Sequence, residues 1–312
     1  MKKVLVTINV RDHTREELRS LRGYEFFFRE EIDNYEEILK ECDIIIGSPN
    51  QEEVRKAVRL QWIQLPSAGA EGYGWLDEGI LLTNAYGAYG HGIGEFMMAE
   101  VLMFMKKLPQ YLTHQKNHYW KALNSLTKIE DSVVVSVGMG AIGTRFLEIA
   151  HAMGAHCYGV RRTLHDKPDI VEGLYTPADM KEILSKADVV ALSMPHTSET
   201  RGMFNKEVLS QIKPGAILLN VGRGSAIVTD DLVELIRQGH FSAVMLDVTD
   251  PEPLPADHPL WDLDNVFITP HTSGRYTSDV NYQHVIDVIK ENLLRADQGR
   301  PVLHAVDRNR GY

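Results

Sequence analysis

The chain has 312 residues, 44% hydrophobic and 24% charged, with a formal net charge of −10. Its length suits two cores better than one, and its acidity disfavours nucleic acid and anionic membrane as partners, because both need a basic face. No apolar stretch approaches the ~20 residues that span a bilayer, and the apolar run of "MKKVLVTINV" stops at Asn9 and Arg11, too early for a signal peptide.

From the N-terminus, strand and helix patterns alternate. "KVLVTINV" (3–10) is an apolar, β-branched run that predicts a strand. "TREELRSL" (14–21) predicts a helix capped by Thr14, with Glu17 three residues on. "NYEEILKE" (34–41) and "EEVRKAV" (52–58) read as helices, "CDIIIGS" (42–48) and "WIQLPSA" (62–68) as strands, and this first α/β unit ends near "ILLTNA" (80–85). Short apolar runs between amphipathic helices indicate a parallel sheet covered on both faces. "EFMMAEVLMFMKKL" (95–108) predicts an apolar helix that connects two units, with its methionines as core filler. His114 and His118 have helical i, i+4 spacing, but no third ligand lies nearby, so a solvated face is expected and no metal. Cys42 and Cys157 sit beside apolar residues, as buried thiols do. A cytoplasmic location is the default expectation.

The second unit starts at "SVVVSVG" (132–138) and continues with strands at "AHCYGV", "ADVVALSM", "AILLNVG", "FSAVMLDV" and "NVFITP". Six strands with helices between them suit a dinucleotide-binding sheet. A final helix, "NYQHVIDVIKENLLRADQG" (281–299), follows the completed second sheet and is expected to return to the first domain. The expected fold is α/β, with two doubly wound parallel-sheet domains. Residues 1–98 and 277–312 would form the smaller, flavodoxin-like substrate domain, and residues 99–276 the Rossmann domain.

"GMGAIG" (138–143) follows a run of valines and opens a helix, the context that gives a GxGxxG pattern meaning. Gly138 would permit the tight turn, Gly140 the approach of a pyrophosphate, and Gly143 close helix packing. The amides of Ala141 and Ile142 would face the phosphates. The residue that reads the adenosine ribose is expected at the end of the next strand, ~20 residues on, and is commonly acidic. This chain has Arg161 and Arg162 there instead. A guanidinium fork matches phosphate oxygens, so the pair reads as a clamp for the 2′-phosphate of NADP, with NAD still possible. Thr163 could add a hydroxyl contact.

Three later segments end strands in polar residues. "LLNVGRGSAI" (218–227) presents Arg223, "MLDVTDPEPLP" (245–255) presents Asp247 and Glu252, and "FITPHTSG" (267–274) presents His271. Ligands of open parallel sheets bind beyond the carboxyl ends of the strands. His271 is the natural proton donor to an alkoxide. Glu252 would stabilise the imidazolium, and Arg223 would bind a carboxylate and polarise a carbonyl.

Taken together, "GMGAIG", "LNVGRG", "LDVTDPEPLP" and "TPHTSG" resemble the D-isomer-specific 2-hydroxyacid dehydrogenase family, and "DPEPLPADHPLW" resembles its glyoxylate/hydroxypyruvate reductase branch. The resemblance implies Arg223, Glu252 and His271 as the catalytic residues and Asp247 near the nicotinamide carboxamide. Val221 and His271 are counted with the cofactor residues. The family's substrate-carboxylate loop resembles "PSAGAEG" (66–72), which makes the amides of Ala68 and Gly69 the expected contacts. "YGHGIGEF" (89–96) resembles the start of the family's connector helix, with Tyr89 or Ile93 lining the pocket. A small 2-keto acid substrate and a homodimer built on the cofactor domain are further implications. The arginine pair departs from the family's commoner aspartate, so a preference for NAD does not carry over. The alternatives are an NAD-dependent phosphoglycerate dehydrogenase and a dinucleotide-sensing protein like the corepressors that share this fold.

Overall fold

The computed structural model describes residues 1–164 and 167–307. The chain divides into two compact units, Met1–Tyr89 with the segment from Tyr276 onward, and Gly90–Arg275.

The first unit holds β1 (Lys2–Val6), β2 (Tyr24–Phe28), β3 (Ile44–Ile46), β4 (Trp62–Gln64) and β5 (Leu81–Thr83). They form one sheet in the order β2-β1-β3-β4-β5, every pair parallel. Leu5, Ile45 and Ile63 are fully buried and pack with Leu39 and Leu65. The last helix, Asp279–Asp297, belongs to this unit. The Tyr24 hydroxyl donates to the Leu293 carbonyl (2.8 Å), and the Asn292 amide nitrogen donates to Gln64 (2.8 Å).

The second unit holds β6 (Val133–Val137), β7 (His156–Val160), β8 (Gly173–Tyr175), β9 (Val189–Leu192), β10 (Ile217–Asn220), β11 (Ala243–Leu246) and β12 (Val266–Ile268). Their order is β12-β11-β10-β9-β6-β7-β8, again all parallel. Four strands, β6, β9, β10 and β11, read as near-continuous apolar runs because the sheet is covered on both faces.

Several expectations are corrected. Two edge strands, β2 and β8, carry no apolar alternation and were not foreseen. Thr14 does not cap its helix, which runs Asp12–Arg19 from Arg11. Thr14 is buried, and its hydroxyl accepts from Tyr282 at 2.8 Å, so it anchors the last helix instead. The boundary expected at residue 98 falls inside the helix Gly90–Met105. That whole helix groups with the second unit, because Gly90 and Gly94 let its backbone lie against Ala141 and Arg145 of the next domain's first helix. The helix bearing His114 ends at Lys116, and His118 follows with φ +55°, so the two histidines do not share a helix face.

Candidate active site

The glycine loop joins β6 to the helix Ala141–Ala152. Gly138 has φ +104°, and its carbonyl accepts from the hydroxyls of Ser136 (2.9 Å) and Ser193 (3.0 Å). A Cβ on Gly143 would come within 2.0 Å of the Gly138 carbonyl oxygen, so no larger residue fits there. Gly140 is the N-cap and offers no side-chain acceptor. The first amides of a 12-residue helix therefore face outward with the positive end of its dipole. This backbone-lined, anion-seeking turn fits a dinucleotide pyrophosphate.

Arg161 and Arg162 follow β7 directly. The Arg161 amide donates to the Tyr175 carbonyl of β8 (3.0 Å), so the unforeseen edge strand fixes where the pair begins. Arg162 Nη1 lies 3.8 Å from Glu199, a loose and exposed pair. Val221 is buried and its amide donates to Leu192 (3.1 Å), which leaves its carbonyl as what it can offer a ligand.

The late motifs converge because their strands are neighbours in register. Asn220 pairs with Leu246, and Leu246 pairs with Ile268. Arg223 lies three residues past Asn220, Asp247 one past Leu246, and His271 three past Ile268. Arg223 is half-buried, and its Nη1 donates to the Gly222 carbonyl at 2.7 Å. Gly224 seats this turn directly on Thr249, where a Cβ would come within 2.0 Å of the backbone. His271 Nδ1 lies 2.7 Å from Glu252 Oε1, both side chains about half exposed.

Asp247 has a task that the sequence did not suggest. It is 2% exposed. One carboxylate oxygen accepts from the Thr269 hydroxyl (2.6 Å) and the Thr272 amide (2.8 Å). The other accepts from the Ser273 amide (3.1 Å) and hydroxyl. The Asp247 carbonyl also accepts the His271 amide at 2.8 Å. These bonds use acceptor positions on both carboxylate oxygens and give Asp247 a structural task on the His271 loop. His271 adopts φ +49°, a left-handed conformation that costs a side-chain-bearing residue about 1–2 kcal/mol. The Asp247 clamp holds the loop in it.

Glu100, on the helix Gly90–Met105, was missed because it reads as one polar residue in an apolar helix. It is 4% exposed, and among the described residues neither carboxyl oxygen has a hydrogen-bond partner. Burial first, then the charge of Asp247, pushes its carboxyl up to about 8. Glu100 is therefore neutral near pH 7. The two cysteines, Cys42 and Cys157, are buried, and burial pushes both thiols up to about 12.

In the first unit, the loop after β4 is held by its carbonyls. Asn84 donates to the Ala68 carbonyl (2.7 Å) and the Ser67 hydroxyl to the Gly69 carbonyl (2.8 Å). Among the described residues no acceptor is found for the amides of Ala68 or Gly69. Tyr89 is buried and its hydroxyl donates to the Pro66 carbonyl, so it braces this loop rather than lining a pocket. Ile93 is buried as well, in the second unit. No helix among the described residues is long and apolar enough to cross a membrane.

A family model for the NAD-binding domain of D-isomer specific 2-hydroxyacid dehydrogenases matches residues 98–273. Glyoxylate/hydroxypyruvate reductase A of Photorhabdus laumondii is 29% identical over 86% of this chain and 87% of its own. The protein of the same name from Salmonella heidelberg is 31% identical over 70% of this chain and 68% of its own. A D-isomer specific 2-hydroxyacid dehydrogenase family protein from Aeromonas salmonicida superposes with a TM-score of 0.90 at 28% identity, covering 98% of this chain and 99% of that one. With its glycine cradle and its polar strand ends, this chain belongs to the D-isomer specific 2-hydroxyacid dehydrogenase family and is an NAD(P)-dependent oxidoreductase.

Proposed function

We propose that the chain is an NADPH-preferring reductase of small 2-keto acids, such as glyoxylate or hydroxypyruvate, yielding D-2-hydroxy acids. The observation that carries this reading is the His271–Glu252 pair at 2.7 Å, set one strand from Arg223. The relatives named glyoxylate/hydroxypyruvate reductase A support the substrate class.

In the proposed mechanism, Gly138, Gly140, Ala141, Ile142 and Gly143 hold the pyrophosphate of the dinucleotide. Held there in its reduced form, the dinucleotide would supply a hydride. The guanidinium of Arg223 binds the substrate carboxylate and polarises the carbonyl, and in the first unit the Ala68 and Gly69 amides are open donors for a carboxylate oxygen. His271 keeps Nδ1–H on Glu252, so Nε2 is the nitrogen that passes a proton to the carbonyl oxygen. Glu252 stabilises the imidazolium that precedes the transfer. Asp247 keeps the histidine loop in its strained conformation.

Arg161 and Arg162 support the preference for NADPH, because the cofactor's 2′-phosphate carries about two negative charges and a guanidinium fork is its natural partner. Leu112, Tyr119 and the fully exposed Trp120 are exposed apolar side chains of the second unit, and we assign them to a homodimer contact. Free thiols and a nicotinamide cofactor favour the cytoplasm. The test is spectrophotometric. Purified protein with glyoxylate or hydroxypyruvate should oxidise NADPH faster than NADH, and no turnover of any 2-keto acid overturns the reading.

A further inference from the structure

The first unit carries an open recess of about 470 Å³, lined by Thr7, Ile8, Arg29, Tyr35, Ser48 and Glu53 among others. Its volume lies in the range of small-molecule sites, ~300–1,000 Å³. Thr7 and Ile8 follow β1, Arg29 follows β2, and Ser48 lies just past β3. The recess therefore sits at the carboxyl ends of these strands. In the order β2-β1-β3-β4-β5 the winding reverses between β1 and β3. Such a switch point is where open α/β sheets leave room for a ligand.

The charges around it indicate what kind. The turn Arg29–Glu31 contains two carboxylates, and both are taken: Glu30 by Arg15, and Glu31 by Arg15 and Arg19. Arg29 stands apart from this network. Its guanidinium lies over the Tyr35 ring, 4.4 Å from the centroid, and among the described residues it has no carboxylate partner. Tyr35 is itself fixed, since its hydroxyl donates to Glu53 Oε1 at 2.5 Å. Glu53 Oε2 accepts the Asn50 amide at 2.8 Å, so that carboxylate is committed on both oxygens. Stacking steadies the guanidinium and leaves its in-plane donors available.

We infer that this recess binds a small molecule through a single carboxylate, held by Arg29. A phosphate fits less well, because Glu53 already places a negative charge in the wall. The recess adjoins the loop after β4: β3 and β4 are neighbours, and the Tyr73 hydroxyl donates to the Pro49 carbonyl at 3.0 Å. The carboxylate has two possible sources. One is the far end of a 2-keto diacid whose near end the Ala68–Gly69 loop holds, which rests on the proposed reaction. The other is a separate carboxylate metabolite acting as an effector.

Titration calorimetry of the whole protein with succinate tests the binding itself. Wild type should bind, Arg29→Ala should weaken binding at least tenfold, and Arg19→Ala, a cation committed to Glu31, should bind as wild type does. No binding by wild type, or equal affinity in Arg29→Ala, overturns the inference. Kinetics with NADPH then separate the sources. A diacid substrate is indicated if Arg29→Ala raises KM for 2-oxoglutarate and leaves glyoxylate unchanged. An effector is indicated if succinate alters glyoxylate turnover in wild type alone. Failure of both keto acids to turn over would sink the proposed function and leave the succinate result standing.

Discussion

Replacing Glu100 by glutamine removes an ionisation that the folded chain resists. The carboxyl is pushed from 4.5 to about 8, mainly by burial and further by Asp247. Ionising it therefore costs about 5 kcal/mol more in the folded chain than in the unfolded one. Below pH 4.5 both states hold the proton, and its contribution to stability is full. Between 4.5 and about 8 the unfolded chain releases the proton while the folded chain keeps it, so stability falls as pH rises. Glutamine keeps the shape and cannot ionise. Between pH 5 and pH 8, wild type should lose about 4 kcal/mol more stability than Glu100→Gln. One kcal/mol moves Tm by ~2–4 °C in chains somewhat smaller than this one, so the gap in favour of the variant should widen by on the order of 10 °C. Scanning calorimetry at the two pH values, at matched ionic strength, reads this directly. If wild type and variant lose Tm in parallel, Glu100 is not held neutral and the argument fails.

Three further outcomes are expected. His271→Ala should lower kcat for keto-acid reduction by at least ~10²-fold, with Glu252→Gln intermediate; near-normal steady-state kinetics for the histidine variant would remove the proton relay. In wild type, NADPH should be preferred on the order of 10- to 100-fold, the span of one charge-assisted hydrogen bond. Arg161→Asp should erase that preference, and an unchanged ratio of kcat/KM for the two cofactors would leave the arginines without this role. The proposed homodimer predicts that wild type sediments as a dimer at micromolar concentration and Trp120→Asp as a monomer; a monomeric wild type would overturn the dimer, and an unaltered variant would overturn this contact.

How far the sequence alone determines this protein follows from what is local. The runs "VVVSV" and "AVML" declare buried parallel strands because covered strands must be apolar throughout. The glycine loop declares itself because only glycine tolerates the φ of Gly138 and the contact at Gly143. The order of Arg223, Glu252 and His271 was legible for a similar reason, since each follows a recognisable strand. Edge strands were not legible. "YEFFF" and "GLY" pair on one side only and carry no clear period. Nor could spacing show that Thr14 would serve Tyr282, 268 residues away, instead of its own helix. Spacing also could not show that Asp247 would brace a loop whose donors lie 22 to 26 residues downstream. Glu100 and Arg29 have ordinary side chains in ordinary local settings. Burial beside a second carboxylate and stacking at the mouth of a recess give them their chemistry, and both depend on what the folded chain brings near them, which local propensity does not encode.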